Sequence, residues 1–315
     1  MGDADSAGLE TQYVALRRGC GVVSLRGWSS VTLAGGDRQK FLHNFCTNDI
    51  KRLKPGEGCE AFFTNVKGKV IGHGIVSCRE NELVVIGVPG QAATLMPHLD
   101  RYLIREDVQL SDSSDDRCFY LVAGGSGEID SVFAGETLRQ CVGVTTPCCI
   151  VGSDAERLIE TSASKAAAFE AALVDAGGAL ADVAFEAARI EAGFPLFGID
   201  FNEENLPQEV GRDKQAISFT KGCYLGQETV ARIDALGHVN QRLVGVRFEG
   251  SAVPAAGAEL KRAGGAVGRV TSAVLSPRLR APLALAMVRR EANEVGTRLE
   301  SPVGAGEVVA LPLGF

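Results

Sequence analysis

At Arg242 the texture of the chain changes. From there on only short apolar or alternating runs recur, at 243–248, 259–262, 267–274, 283–288 and 308–311, with Gly264-Gly265 as a hairpin turn between two of them. Strands this short and this closely spaced can bury an apolar face only against one another. They predict a small barrel or sandwich as a terminal module, with 250–257 as a loop within it.

Before Arg242, helix and strand signatures are mixed. Asp37 stands where it can cap a helix whose apolar face is Phe41, Leu42 and Phe45, ending at Asn48-Asp49. Three strands follow between 60 and 88, separated by the turns Lys67-Gly68-Lys69 and Glu80-Asn81. A helix over 92–102, a strand at 108–110 and a polar surface loop at 111–116 come next. An Ala-rich helix over 162–177 stops at Gly177-Gly178, and a second one over 182–191 stops at Gly193-Phe194-Pro195. The whole reads as an α+β body followed by an all-β module.

Composition narrows the function classes. The 315 residues are 45% hydrophobic and 23% charged, which fits two or three globular domains and excludes wholesale disorder. With 32 Lys and Arg against 39 Asp and Glu the net charge is −7, which disfavours a generic nucleic-acid backbone binder but leaves room for a local basic pocket. No apolar run reaches the roughly 18 residues of a membrane span. The N-terminus lacks the basic and apolar regions of a secretory signal. It matches the acylation pattern M-G-x-x-x-S, against which stand Asp3 and Asp5, repelled by anionic lipid. Nine cysteines, irregularly spaced and without a C-x-x-C pair, are neither a disulfide framework nor a metal site, and imply a reducing cytoplasm.

The densest chemistry lies in Lys221-Gly222-Cys223-Tyr224-Leu225-Gly226-Gln227-Glu228. With a helix starting near Leu225, Cys223 would sit at a positive dipole end with Lys221 beside it, an environment that favours the thiolate. The competing reading is a small buried hydrophobe. Glu191, in Arg189-Ile190-Glu191-Ala192-Gly193, could accept two parallel N–H bonds from a flat heterocycle, or be a solvated helix-end carboxylate. The Gly68-Lys69 turn could admit a ligand closely or hold its glycine for backbone reasons alone, and Arg212 and Arg232 could bind a carboxylate tail.

Gly36-Asp37-Arg38 with Phe41-Leu42-His43, Thr47-Asn48-Asp49, Tyr102-Leu103-Ile104-Arg105, the Arg189 to Gly193 segment and the Lys221 to Glu228 motif together resemble the YgfZ family, within the superfamily of the glycine-cleavage aminomethyltransferase, the T-protein. The resemblance implies a three-lobed ring: two α+β, ferredoxin-like lobes around a central folate cavity, plus a small C-terminal β-barrel. The folate-binding lobe would take 1–50 with 140–240, the second lobe 51–139 and the barrel 241–315. It implies tetrahydrofolate met by Glu191, and Gly68, Lys69, Arg212, Tyr224 and Arg232 are the candidates for the rest of that site. Cys223, Lys221 and His73 would carry the chemistry, without a metal.

The implied role is assembly, repair or maintenance of iron–sulfur clusters in client enzymes, including radical enzymes that modify tRNA. Direct nucleic-acid and membrane contacts are not expected. Where the transferases carry an aspartate pair after the Gly68 turn, this chain reads Gly72-His73-Gly74, so no carboxylate is expected there; His73 is a substitute proton carrier or an inert strand residue. That departure favours the YgfZ branch over the alternative, a tetrahydrofolate-dependent aminomethyl transferase or demethylase.

Overall fold

The computed structural model describes residues 3–314, with side chains from residue 8 onward; Met1 and Gly2 of the acylation pattern lie outside them. Ten strands build the body: β1 (Cys20–Ser24), β2 (Ser29–Ala34), β3 (Gly58–Thr64), β4 (Val70–Cys78), β5 (Glu82–Gly87), β6 (Gln109–Asp112), β7 (Arg117–Gly124), β8 (Thr145–Pro147), β9 (Ala155–Ser162) and β10 (Ala179–Leu180). They form two five-stranded sheets, ordered β10-β1-β7-β9-β8 and β3-β4-β5-β2-β6. Strands β11 (Gln241–Phe248), β12 (Glu259–Arg262), β13 (Gly265–Ser276), β14 (Ala281–Arg289), β15 (Arg298–Ser301) and β16 (Gly304–Val309) close a six-stranded barrel. The expected α+β body and terminal β-barrel are both present.

Helices cover the sheets: α1 (Asp3–Arg18), α2 (Arg38–His43), α3 (Gln91–Asp100), α4 (Ser126–Val132), α5 (Glu136–Cys141), α6 (Ala166–Asp175), α7 (Phe185–Ala192), α8 (Asp213–Ala216) and α9 (Gln227–Leu236). No helix among the described residues is long and apolar enough to cross a membrane. Asp37 does occupy the N-cap of α2, but its carboxylate accepts from the Asp107 amide at 3.0 Å instead of capping the helix. The expected loop at 111–116 begins inside β6, and Ser113 is buried, bonded to Ser30 and Thr32.

The lobe boundaries differ from those expected. Strand β2 pairs with β5 and β6, so the second lobe runs from Ser29 to Asp112 and not over 51–139. Strand β7 pairs with β1 and β9 and belongs to the first lobe. Edge-to-edge hydrogen bonding between distant strands decides membership, and such pairings leave no local mark in sequence.

Strand β14 explains why the longest apolar run of the C-terminal module is apolar on both faces. Ala284, Ala286 and Val288 point into the barrel with Val246, Val270 and Val308. Leu283, Leu285 and Met287 point outward onto Phe62, Ile190 and Tyr224 of the body. The barrel is thereby fixed to the α7 and α9 segments that carry the sequence motifs.

Candidate functional site

The singled-out residues fall into three clusters. The first is built on Glu191, in the last turn of α7, which ends at Gly193 in the left-handed region (φ 71°). Its carboxylate is buried. Oε2 accepts from Tyr13 Oη and, at 2.9 Å, from Arg17 Nη2; Oε1 accepts from Ser276 Oγ at 2.5 Å and from the Arg278 amide at 3.4 Å. Burial and donation to Glu191 push the Tyr13 phenol up to about 12. The group therefore clamps α1, α7 and β13 together, and neither the solvated reading nor an open pterin ligand describes it as it stands.

The second cluster surrounds a residue the sequence reading passed over. Glu60 on β3 is buried; Arg212 donates to it through Nε at 2.9 Å and Nη2 at 2.5 Å, while His73 Nε2 lies 2.8 Å from Oε1. Burial alone would raise the Glu60 carboxyl, but the Arg212 charge and the bonds from His73 and Arg212 outweigh it and hold it at about 2. Strand β4 itself carries no carboxylate, as expected, and the acid beside His73 is brought from β3 by cross-strand pairing. Nor is Arg212 free for a ligand's carboxylate, since its remaining reach is to the Cys149 carbonyl at 3.0 Å. His73 stacks on Phe62 with ring centroids 4.8 Å apart, with Phe201 edge-on and Phe194 tilted against it.

The third cluster is the Lys221 to Glu228 motif. Lys221 Nζ donates to the carbonyls of His43 (2.6 Å), Cys46 (2.6 Å) and Asn48 (2.9 Å), completing the C-terminal end of α2, and lies over the Tyr224 ring. This corrects the expected role of Lys221 as a charge beside the thiol: the ammonium is buried and spent on backbone. Tyr224 is buried too, in the contact between body and barrel. Helix α9 starts later than expected, with Gly226 as N-cap, so Cys223 stands outside the helix, three residues ahead of its N-cap, and is exposed.

The two glycines flanking this region explain each other. Gly68 (φ 74°) and Gly226 (φ 81°) meet back to back: a Cβ on Gly226 would stand 2.4 Å from the Asn65 carbonyl oxygen and 2.8 Å from Gly68 Cα. Gly68 admits the α9 N-terminus and not a ligand. Lys69 donates to the Glu204 carbonyl at 2.6 Å, and Arg232 is exposed on α9. The Thr47-Asn48 segment is structural as well, Thr47 Oγ1 donating to Ala216 O at 2.6 Å and Asn48 Nδ2 to Glu60 O at 2.8 Å. His43, buried behind Gly222, is held down to about 4 by burial and by the Lys221 and Lys51 charges.

A cleft of about 320 Å³ reaches Ala192, Gly193 and Arg212 and is also lined by Gln215, Arg242 and Leu311. Among the described residues no group of three or more His, Cys, Asp or Glu side chains is placed to hold a metal ion.

Residues 3–128 match the GCVT N-terminal domain, and residues 241–313 match the glycine cleavage T-protein C-terminal barrel domain. A tRNA-modifying protein YgfZ of Yersinia pseudotuberculosis is 28% identical over 81% of this chain and 79% of its own length. The chain is a YgfZ-like member of the glycine-cleavage T-protein superfamily. Within the T-protein superfamily it is also similar to an aminomethyltransferase of Rippkaea orientalis, 27% identical over 93% of this chain and 84% of that one. The crystal structure of the glycine cleavage system aminomethyltransferase T from Bartonella henselae shares the T-protein fold, with a TM-score of 0.83 at 18% identity over 96% of this chain and 89% of that one.

Glu60, Tyr13, Arg17 and Ser276 are the site residues that sequence reasoning missed. Glu60 left one signal, a lone acid in the apolar run Ala61-Phe62-Phe63, where a charge demands a buried partner. Tyr13 and Arg17 sit on α1, whose Leu9, Tyr13, Leu16 spacing is a helical face.

Proposed function

We propose that this chain is a tetrahydrofolate-binding accessory factor for assembly, repair or maintenance of iron–sulfur clusters in client enzymes, tRNA-modifying radical enzymes among them, and that it works through Cys223 in a reducing cytoplasm. The observation that carries the proposal is the contrast between two positions. Cys223, in the most specific motif, is exposed. His73, where transferases of the superfamily are expected to carry their acid, is sealed by three aromatic rings and tied to Glu60, whose carboxylate is already committed to Arg212. A group so enclosed is poorly placed to exchange a proton with a substrate amine, which disfavours the one-carbon transferase alternative raised by the aminomethyltransferase relatives.

Other features support the reading. All nine cysteines are free, in keeping with a reducing compartment. The similarity to a protein named for tRNA modification supports the choice of client, and the similarity to an aminomethyltransferase supports folate as the ligand in this reading. Contact with the tRNA itself is not part of the proposal, since the net charge is −7.

Both Glu191 oxygens are already satisfied by four donors, so a pterin would reach the carboxylate only by displacing Tyr13 and Arg17 from Oε2. The 320 Å³ cleft beside Ala192 and Gly193 is of a size for a small heterocycle. Folate would supply a one-carbon carrier when bound. Calorimetric titration with tetrahydrofolate is expected to give saturable binding, at least about tenfold weaker in Glu191→Gln and tighter in the double variant Tyr13→Phe/Arg17→Gln, which frees Oε2. Absence of saturable binding to the wild type, or undiminished binding by Glu191→Gln, would contradict the folate assignment.

A further inference from the structure

The overall charge of −7 hides an asymmetry. Residues 241–315 hold ten Lys and Arg, nine of them Arg, against six Glu and no Asp, a net of +4; residues 1–240 carry −11. The cationic end is the barrel.

Where the barrel meets the 200–205 segment lies a cleft of about 330 Å³, lined by Asp200, Glu204, Asn205, Gln241, Arg269 and Arg289. Strand register fixes what faces it. Arg289 pairs across to Gln241 on β11, and Arg269 pairs across to Met287, two residues before Arg289 on β14. The two arginines therefore leave the same face of the barrel as diagonal neighbours, within mutual reach of their long side chains.

The other polar groups of the cleft are already occupied. Asp200 accepts from Arg189 at 2.9 Å, from the Leu196 amide at 2.9 Å, and from Thr271 and Ser272 at 2.7 and 2.6 Å. The Asn205 and Gln241 amides both donate to Glu209. Glu204 stands exposed at the rim and forms no ion pair among the described residues, and neither do Arg269 or Arg289. Two guanidinium groups side by side on one sheet face repel, and the single carboxylate at the rim balances one of them at most.

We propose that this cleft is an oxyanion site, in which Arg269 and Arg289 together bind a group carrying two or more anionic oxygens, either a phosphate ester or a chain of carboxylates. Paired guanidinium forks match both, and the site would sit on the seam between body and barrel, outside the three clusters already described. The ligand is recognised by charge and fork geometry and not by stacking, since the cleft has no aromatic lining.

The test is calorimetric titration of the full chain with pyrophosphate and, separately, with triglutamate, at low and at moderate salt. The expected result is saturable binding of one of the two, weakened by salt and at least about tenfold weaker in Arg269→Gln/Arg289→Gln. The variant Arg247→Gln/Arg280→Gln removes the same charge from another barrel cleft and is expected to bind as the wild type does. Whichever anion binds names the source. Failure of both to bind the wild type overturns the proposal, as does equal weakening in the two double variants, which would reduce the effect to net charge.

Discussion

Arg212→Met is expected to destabilise the fold by about 3–5 kcal/mol at neutral pH, because it strands the Glu60 carboxylate in the interior with only His73 beside it. The surrounding groups offer no relief, for Glu60 is 6% exposed and Arg212 3%. The double variant Glu60→Gln/Arg212→Met removes the uncompensated charge and should recover most of the loss. The sign with pH follows from the shift. In the wild type the Glu60 carboxyl is held at about 2, below its ordinary value, so its contribution is complete above about 4.5 and fades as pH falls toward 2. Without Arg212, burial raises the same carboxyl, and protonation becomes a way to keep it inside. The penalty of Arg212→Met should therefore shrink as pH is lowered from 7 to 3. Urea denaturation of the three proteins across that range checks it. A penalty below about 1 kcal/mol that does not change with pH would show that the pair contributes no more than a surface ion pair does.

Gly226→Ala is expected to cost at least about 3 kcal/mol and to release the Cys223 segment from the second lobe. Part of that cost is intrinsic, since Gly226 has φ 81°, a conformation that costs an L residue about 1–2 kcal/mol. The rest is contact. The added methyl would meet the Asn65 carbonyl oxygen at 2.4 Å and Gly68 N at 2.9 Å, backbone atoms that cannot swing aside. Gly237 provides the control, having φ 69° but nothing within 4 Å of an added Cβ, so Gly237→Ala should show the intrinsic part alone. Hydrogen exchange is expected to rise over 221–230 in Gly226→Ala and to stay unchanged there in Gly237→Ala. Equal stability losses in the two variants would mean that the glycine-to-glycine contact is not what holds α9 against the β3–β4 turn.

The barrel was legible because its strands are short, close in sequence and bounded by turn residues, and because β14 is apolar at every position from Ala281 to Val288. The helices ending at Gly177 and Gly193 announced themselves through their C-terminal glycines, both at positive φ. Lobe membership was not legible. Strand β2 lies between β5 and β6, and β7 between β1 and β9, pairings that close over tens of residues and are chosen by tertiary packing.

At the site, residue types were legible and directions were not. The Lys221 to Glu228 motif stood out, yet the partners of Lys221 are carbonyls at His43, Cys46 and Asn48, some 175 positions earlier, so proximity in sequence to Cys223 misled. Arg212 looked like a ligand clamp for the same reason: its partner, Glu60, lies 152 residues away.

Cys223 is the residue through which the chain is proposed to act. An iron–sulfur enzyme activity, such as that of a tRNA-methylthiolating radical enzyme, is measured in cells lacking their own YgfZ-type protein and supplied with either the wild-type chain or Cys223→Ala. Because Cys223 is exposed, the substitution should leave stability within about 0.5 kcal/mol of the wild type, so expression can be matched. Rescue by the wild type and not by Cys223→Ala is the predicted result; equal rescue by both, or none by a well-expressed wild type, would contradict the account.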